Sequence, residues 1–304
     1  MANDHYVPQF YLRSFKAVPG KVWCYERAVR PVLRGIKSVA SEDNYYTLKS
    51  DIKGVEKDKV DKIFQNLESG TAPIIEHLKT ASKIDLVEND AEMLAMFIAH
   101  SLNRTPHQRE RIMNLHMALS KEVNKIFSEN KAIYEATAHK VGLDADSELL
   151  EQTRQMALND EFEFVYEPSA DDYFLGMTLD LADKITPLIR AKEWHLLESK
   201  TSRVFVTSDN PVVLMPPEDY NRHMGLGVMN AIIGYPLSPR RCLLLTNGMG
   251  TTGVKMLSRE SVMSINQWTI LRAHKQVYAN LESQDVELAF NETVQGHNTR
   301  VRVG

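Results

Sequence analysis

The feature that most constrains this chain is a long block of helical periodicity, about residues 56 to 191, set between two ends that read as strands. The block is rich in Glu, Lys, Ala, Leu and Met and poor in turn signals. It predicts helices at about 57–80, 89–103, 105–129, 131–141, 147–158 and 170–190, with Pro73 and Pro187 as points of kink or interruption. Thr105-Pro106-His107-Gln108 has the form of a capping box with proline at the first helical position. One helix therefore ends near Asn103 and the next begins at Thr105.

In the first region, residues 1 to 55, Pro8 suits a helix start, and Val7, Tyr11 and Phe15 recur at helical spacing. Strand candidates follow at Lys21–Glu26, Val32–Ala40 and Tyr45–Leu48, the first two joined as a hairpin about Arg30-Pro31. The last region, residues 192 to 304, carries strand candidates at 194–198, 203–207, 212–215, 232–237, 242–246 and 276–279, with helices at about 259–273 and 283–294. The expected class is α+β: an N-terminal helix and β-hairpin, a helical middle, and a C-terminal mixed or antiparallel sheet with flanking helices, all in a single domain, 1–304. Tyr11, Leu12 and Phe15 need apolar cover that the first region alone does not supply, so the N-terminal helix is expected to pack on the C-terminal sheet.

Composition narrows the function. Of 304 residues, 43% are hydrophobic, and 40 acidic against 36 basic side chains leave a net charge of −4, which removes any global electrostatic reason for nucleic-acid binding while leaving a local basic groove compatible. Two cysteines, Cys24 and Cys242, are too few for a disulfide framework or a metal-ligand spacing, and point to a reducing, cytoplasmic setting. The start, MANDHYVPQF, has an acid and a proline where a signal peptide needs a basic start and an apolar core, and no apolar run approaches ~20 residues. Export and membrane insertion are not expected.

Familiar motifs fail on context. Gly248, Gly250 and Gly253 follow a strand candidate, but the next helix signal begins near Ser258 and no acid lies at 268–275 to hold a ribose, so a glycine-rich loop is the better reading. Ser208-Asp209-Asn210 with Ser128-x-x-Lys131 imitates a serine β-lactamase, yet Thr251-Thr252-Gly253 lacks the lysine of the third element. Scattered histidines give no zinc spacing. NAD, FAD and PLP are not expected, while a divalent metal ion held by carboxylates would leave little trace.

Three distant segments carry polar residues beyond what a core needs. His5 and Gln9 flank the first helix, either capping it or facing a site. His100 and Arg104 share a helix face one turn apart, with Arg104 answering terminal carbonyls or aimed at an anion. Ser208, Asp209 and Asn210 occupy a corner between strands, where turn chemistry competes with display of a carboxylate.

These segments together resemble a known family. His5-Tyr-x-Pro-Gln-x-Tyr-Leu-Arg-x-Phe15, Asn103-Arg104-Thr-Pro106, Thr207-Ser-Asp-Asn-Pro211 and Pro236-Leu-Ser-Pro239 are similar, in order and over nearly the whole chain, to the bacterial domain of unknown function 4238. The resemblance implies a full-length bacterial domain whose recurrent polar residues are His5, Gln9, Arg104, Asp209 and Asn210, with Glu68 as a further member. An imidazole, a guanidinium and a carboxylate from separate segments suit a metal-assisted phosphodiester hydrolase of nuclease type: Asp209 and Glu68 on a metal, His5 as general acid or base, Arg104 on transition-state charge. The competing readings are a non-enzymatic sensor clasping a small anionic ligand with Arg104 and His5, and a structural or toxin-like interaction protein.

Overall fold

The computed structural model describes residues 3–140, 142, 147–161, 170–217, 227–248 and 253–295. The helical middle comprises α2 (Lys59–Leu78), α3 (Glu88–Asn103), α4 (Pro106–Glu129), α5 (Lys131–Lys140), α6 (Ser147–Leu158) and α7 (Ala170–Arg190), each bound within two residues of expectation. Pro73 and Pro187 lie inside α2 and α7 without ending them. Thr105 caps α4 as expected, its Oγ1 accepting from the Gln108 amide at 3.4 Å, with Pro106 at the first helical position. The Gln108 side chain bonds Asn103 Oδ1 in place of the reciprocal capping bond.

The ends contribute three sheets. β1 (Asn3–His5) pairs antiparallel with β4 (Ser41–Asp43); strands of three residues hold too few alternating positions to be read beforehand. A four-stranded sheet runs β3-β2-β11-β6, from β3 (Val29–Gly35), β2 (Lys21–Glu26), β11 (Gln276–Ala279) and β6 (Thr207–Ser208). The N-terminal hairpin thus joins strands of the C-terminal region, both through antiparallel pairing. The other sheet runs β10-β5-β9-β8-β7, from β10 (Val254–Met256), β5 (Glu193–Glu198), β9 (Arg241–Thr246), β8 (Ile232–Ser238) and β7 (Val213–Met215); only β10 with β5 is parallel, so the sheet is mixed. Helices α8 (Arg259–Arg272) and α9 (Gln284–Gln295) follow.

Three strand expectations are corrected. The hairpin turns at Arg27-Ala28, with Ala28 at φ 57°, so Arg30-Pro31 lies inside β3. Proline is tolerated there because β3 is the edge strand and its register with β2 shifts between Cys24 and Glu26. Tyr45–Leu48 is turn and coil, with both tyrosines buried. Of 203–207, only Thr207 enters a strand: the backbone of Val204 and Val206 is bonded by the Asn266 side-chain amide of α8, which stands in for a strand neighbour.

One buried cluster draws on all three regions. The N-terminal helix α1 (Gln9–Leu12), continued by a 3₁₀ turn (Arg13–Phe15), packs on the C-terminal sheets as expected. The Tyr11 hydroxyl donates to Pro236 O at 2.7 Å and meets Thr207 Oγ1 at 2.8 Å, while its ring stacks on Tyr235 at 5.0 Å. A buried phenol has to find such partners, and here they lie more than 190 residues away in sequence.

Candidate functional site

A cleft of about 540 Å³ opens between the N-terminal segment and α2. His5, Gln9, Phe10 and Arg13 line one wall, and Asp61, Phe64, Gln65, Glu68, Ser69 and Ala72 the other, with Tyr46 between. The α2 residues recur at three- and four-residue steps, which places them on one helix face. His5 closes β1, and Pro8, at φ −58° and ψ 139°, turns the chain into α1 so that Gln9 comes back over it. Gln9 Nε2 lies 3.5 Å from His5 Nδ1, and His5 Nε2 lies 3.3 Å from Ile36 O. Since an amide can only donate at Nδ1 and a carbonyl can only accept at Nε2, the neutral His5 carries its proton on Nε2.

Glu68 enters the cleft from a buried anchor. Arg104 caps the end of α3; its side chain is 2% exposed, and Nη1 donates to Glu68 Oε1 at 2.9 Å. The guanidinium lies 4.9 Å from the Phe64 ring centroid and 5.9 Å from that of Phe97. Its Nε and Nη2 are buried without an acceptor among the described residues. Burial by itself would lower the Arg104 pKa, but Tyr46 and Glu68 raise it above the ordinary value, so the charge is permanent. One turn earlier, His100 sits edge-on to Phe64 at 5.6 Å, with Nε2 3.7 Å from Asp183. Burial first, and then the Arg104 charge, push His100 down to about 4, which keeps it neutral at pH 7.

Asp209 belongs to a different construction. Its Oδ1 accepts from the His274 amide at 2.8 Å, and Oδ2 from those of Lys275 and Gln276 at 2.6 and 2.9 Å. Burial pushes its carboxyl above the usual range, and the three backbone N–H bonds pull it back. Ser208 Oγ donates to Asn210 O and accepts from the Asn210 amide, while Asn210 Nδ2 donates to Arg272 O at 3.0 Å. The Ser208-Asp209-Asn210 corner thereby locks the end of α8 to the start of β11. None of these three residues lines the cleft.

Of the expected site residues, the structure brings His5, Gln9 and Glu68 to one cleft, with Arg104 and His100 packed beneath it. It does not bring Asp209 there, and the expected metal pair Asp209 with Glu68 is not formed, because backbone N–H groups claim the Asp209 oxygens. Among the described residues, no group of three or more His, Cys, Asp or Glu side chains could hold a metal ion. Sequence reasoning missed Asp61, Gln65 and Ser69, although their spacing from Glu68 marks a polar stripe on α2. Gln65 Nε2 donates to Asp61 Oδ2 at 2.7 Å, and burial, then the nearby Asp4 charge, raise the Asp61 pKa. The glycine-rich loop falls largely outside the described residues; Gly248 has φ 117°, and α8 starts only at Arg259, capped by Ser258.

No helix among the described residues is long and apolar enough to cross a membrane. No curated protein and no solved structure matches the chain. The family model described as "Protein of unknown function (DUF4238)" matches residues 3–283, a span that holds β1, the cleft, the Arg104 anchor and the Asp209 corner. A match over so much of the chain means that this protein belongs to the DUF4238 family.

Proposed function

We propose that the His5–Glu68 cleft is an acid–base active site that hydrolyses a small phosphodiester. The observation that carries this reading is the Glu68 carboxylate, held at 2.9 Å by an arginine that is itself 2% exposed. Burying a guanidinium is costly, and its one acceptor among the described residues is a group that faces a solvent-open cleft. Glu68 takes the proton from the attacking water, the imidazolium form of His5 on the opposite wall gives its Nδ1 proton to the departing oxygen and is left as the neutral Nε2–H form, and Arg13 at the rim meets the phosphate charge. Arg104 positions Glu68 rather than touching substrate. Asp61 and Glu68 together disfavour a polyanion, so the substrate is one phosphodiester rather than a nucleic-acid strand. No step runs through a metal, because the Asp209 oxygens are committed to backbone. Cytoplasmic residence of a single-domain bacterial protein is part of the proposal, supported by unpaired buried Cys24 and Cys242 and by a core shared among all three regions.

The test is turnover of bis(p-nitrophenyl) phosphate. Glu68→Gln and His5→Ala are each expected to lower kcat/KM by about 10²-fold or more. Wild-type rates retained in Glu68→Gln would refute the assignment. A second reading, binding of a small anion without turnover, is favoured by the Nε and Nη2 of Arg104, which lack an acceptor among the described residues. Saturable heat on titration with acetate or phosphate, in a protein that turns over nothing, would select it.

A further inference from the structure

The cleft carries an uncompensated charge of each sign, one on each wall. On the N-terminal wall, Arg13 is exposed and forms no ion pair among the described residues. On the α2 wall, Glu68 has Arg104 for a partner, while Asp61 has no cation beside it among the described residues. Its Oδ2 accepts from a neutral donor, the Gln65 amide, and the cation next in sequence, Lys62, is engaged by Glu56 and Asp58. Arg13 and Asp61 do not pair with each other, and a cleft of about 540 Å³ separates their walls. Burial and the nearby Asp4 charge disfavour the anionic form of Asp61, a bias that a cation beside it reverses.

Unmatched charges of opposite sign on facing walls are complementary to a ligand that is itself a zwitterion. We propose that the phosphodiester taken by this cleft carries an ammonium group, on the alcohol that stays bound to phosphorus, and that Asp61 is the residue that selects it. This rests on the phosphodiester reading above and adds the substrate class to it. Spacing along α2 supports the assignment. Asp61 lies seven residues before Glu68, ~10.5 Å along the axis and close to two whole turns, so the two carboxylates stand on one face. That length is filled in order by the reacting water at Glu68, the phosphorus, a short alkyl spacer and the ammonium at Asp61.

The walls also fix which ester bond breaks. Water adds to phosphorus as its proton passes to Glu68, and the bond to the other, uncharged alcohol breaks as that oxygen takes the Nδ1 proton of His5. The products are the uncharged alcohol and the phosphomonoester of the ammonium alcohol. The ammonium thus remains on the α2 wall, away from the imidazolium that the departing oxygen has to meet. Asp61 touches no reacting atom, so its effect falls on KM and on the choice between substrates.

The test compares p-nitrophenyl phosphorylcholine with p-nitrophenyl 3,3-dimethylbutyl phosphate, which has carbon in place of the ammonium nitrogen and the same shape. The full chain is expected to favour the cationic ester by about tenfold or more in kcat/KM. Asp61→Asn should bring that ratio to within about twofold of one, through KM, and Asp61→Lys should invert it. Taking the ratio within each variant cancels any loss of folded protein. A wild-type ratio near one overturns the proposal and leaves the hydrolase reading standing. So does a ratio that survives Asp61→Asn, since the selecting charge then lies elsewhere. A chain that turns over neither ester, nor bis(p-nitrophenyl) phosphate, fails the hydrolase reading and this inference with it. Competition identifies the source of the diester: inhibition by glycerophosphocholine assigns a free one, inhibition by phosphatidylcholine vesicles alone assigns a bilayer headgroup, and inhibition by neither overturns the proposal.

Discussion

Arg104 and Asp209 are both buried charges, 3% and 2% exposed, both adjacent to a proline-bearing polar motif, and they are satisfied in opposite ways. Asp209 meets three backbone N–H groups, those of His274 and Lys275 between α8 and β11 and that of Gln276, the first residue of β11. Arg104 meets one carboxylate, which stands in a cleft, and keeps two N–H groups without an acceptor among the described residues. A charge fully consumed by main chain fixes a fold. A charge spent on orienting another side chain at a solvent-open surface fixes a site. The distinction rests on the partners, and burial alone does not reveal it.

The largest expected effect breaks the Asp209 half of the comparison. Asp209→Ala takes the acceptor from three part-buried amides, each worth about 1–3 kcal/mol, and is expected to cost about 4 kcal/mol of unfolding free energy. Denaturant titration measures it. A loss under about 1 kcal/mol would mean the corner is not a lock.

The Arg104 half should behave asymmetrically. Glu68→Gln keeps an acceptor oxygen but removes the counter-charge of a buried guanidinium, and is expected to cost about 3 kcal/mol. Arg104→Met fills the same space with apolar volume and leaves Glu68, 25% exposed, to water, so it should cost about 1 kcal/mol. The double variant should be more stable than Glu68→Gln alone, a coupling that a double-mutant cycle reads directly. If the proposed chemistry holds, all three lose activity whatever their stability, and that split between activity and stability is absent for Asp209→Ala.

Much of this was legible beforehand, and the reasons are local. The middle helices were placed because a 3.6-residue period repeats many times over 20 residues, whereas the strands at Asn3–His5 and Val254–Met256 give no period to see. His5 and Gln9 announced themselves as polar residues beside the apolar face of the first helix, whereas Glu68 came only with the family resemblance. Asp61 and Gln65 did not, because a polar stripe on α2 looks the same whether it faces water or a cleft. Asp209 misled for the converse reason: a carboxylate at a strand corner reads identically before main-chain amides or before a metal. Only the position of residues 274–276, the last of which opens β11 and pairs with β2, decides between them.

His100 links the Arg104 side to pH. Its folded pKa, about 4, lies below the ordinary histidine value of 6.5, so between those values the unfolded chain binds the extra proton. Stability from this group is therefore full above pH 6.5 and falls as the pH drops toward 4. From pH 7 to pH 5 the expected loss is about 2 kcal/mol, and His100→Gln should flatten that part of the profile. An equal slope in the variant would assign the loss to carboxylates instead.

The smallest effect lies beside Arg104 itself. Thr105 caps α4 through a single long bond, 3.4 Å to the Gln108 amide, so Thr105→Ala should fall at the low end of N-cap losses, about 0.5 kcal/mol. Pro106 already holds the backbone in a helix-ready conformation and has no N–H to satisfy, which limits the damage further. The cap nevertheless sets where α3 stops and α4 turns away, and Arg104 is the residue at that break. If the Glu68 anchor depends on the break being sharp, Thr105→Ala should reduce turnover of the chromogenic phosphodiester several-fold, more than 0.5 kcal/mol of lost stability explains. If activity falls only in proportion to stability, Arg104 is held by its own packing between Phe64 and Phe97, and the cap serves the helix alone.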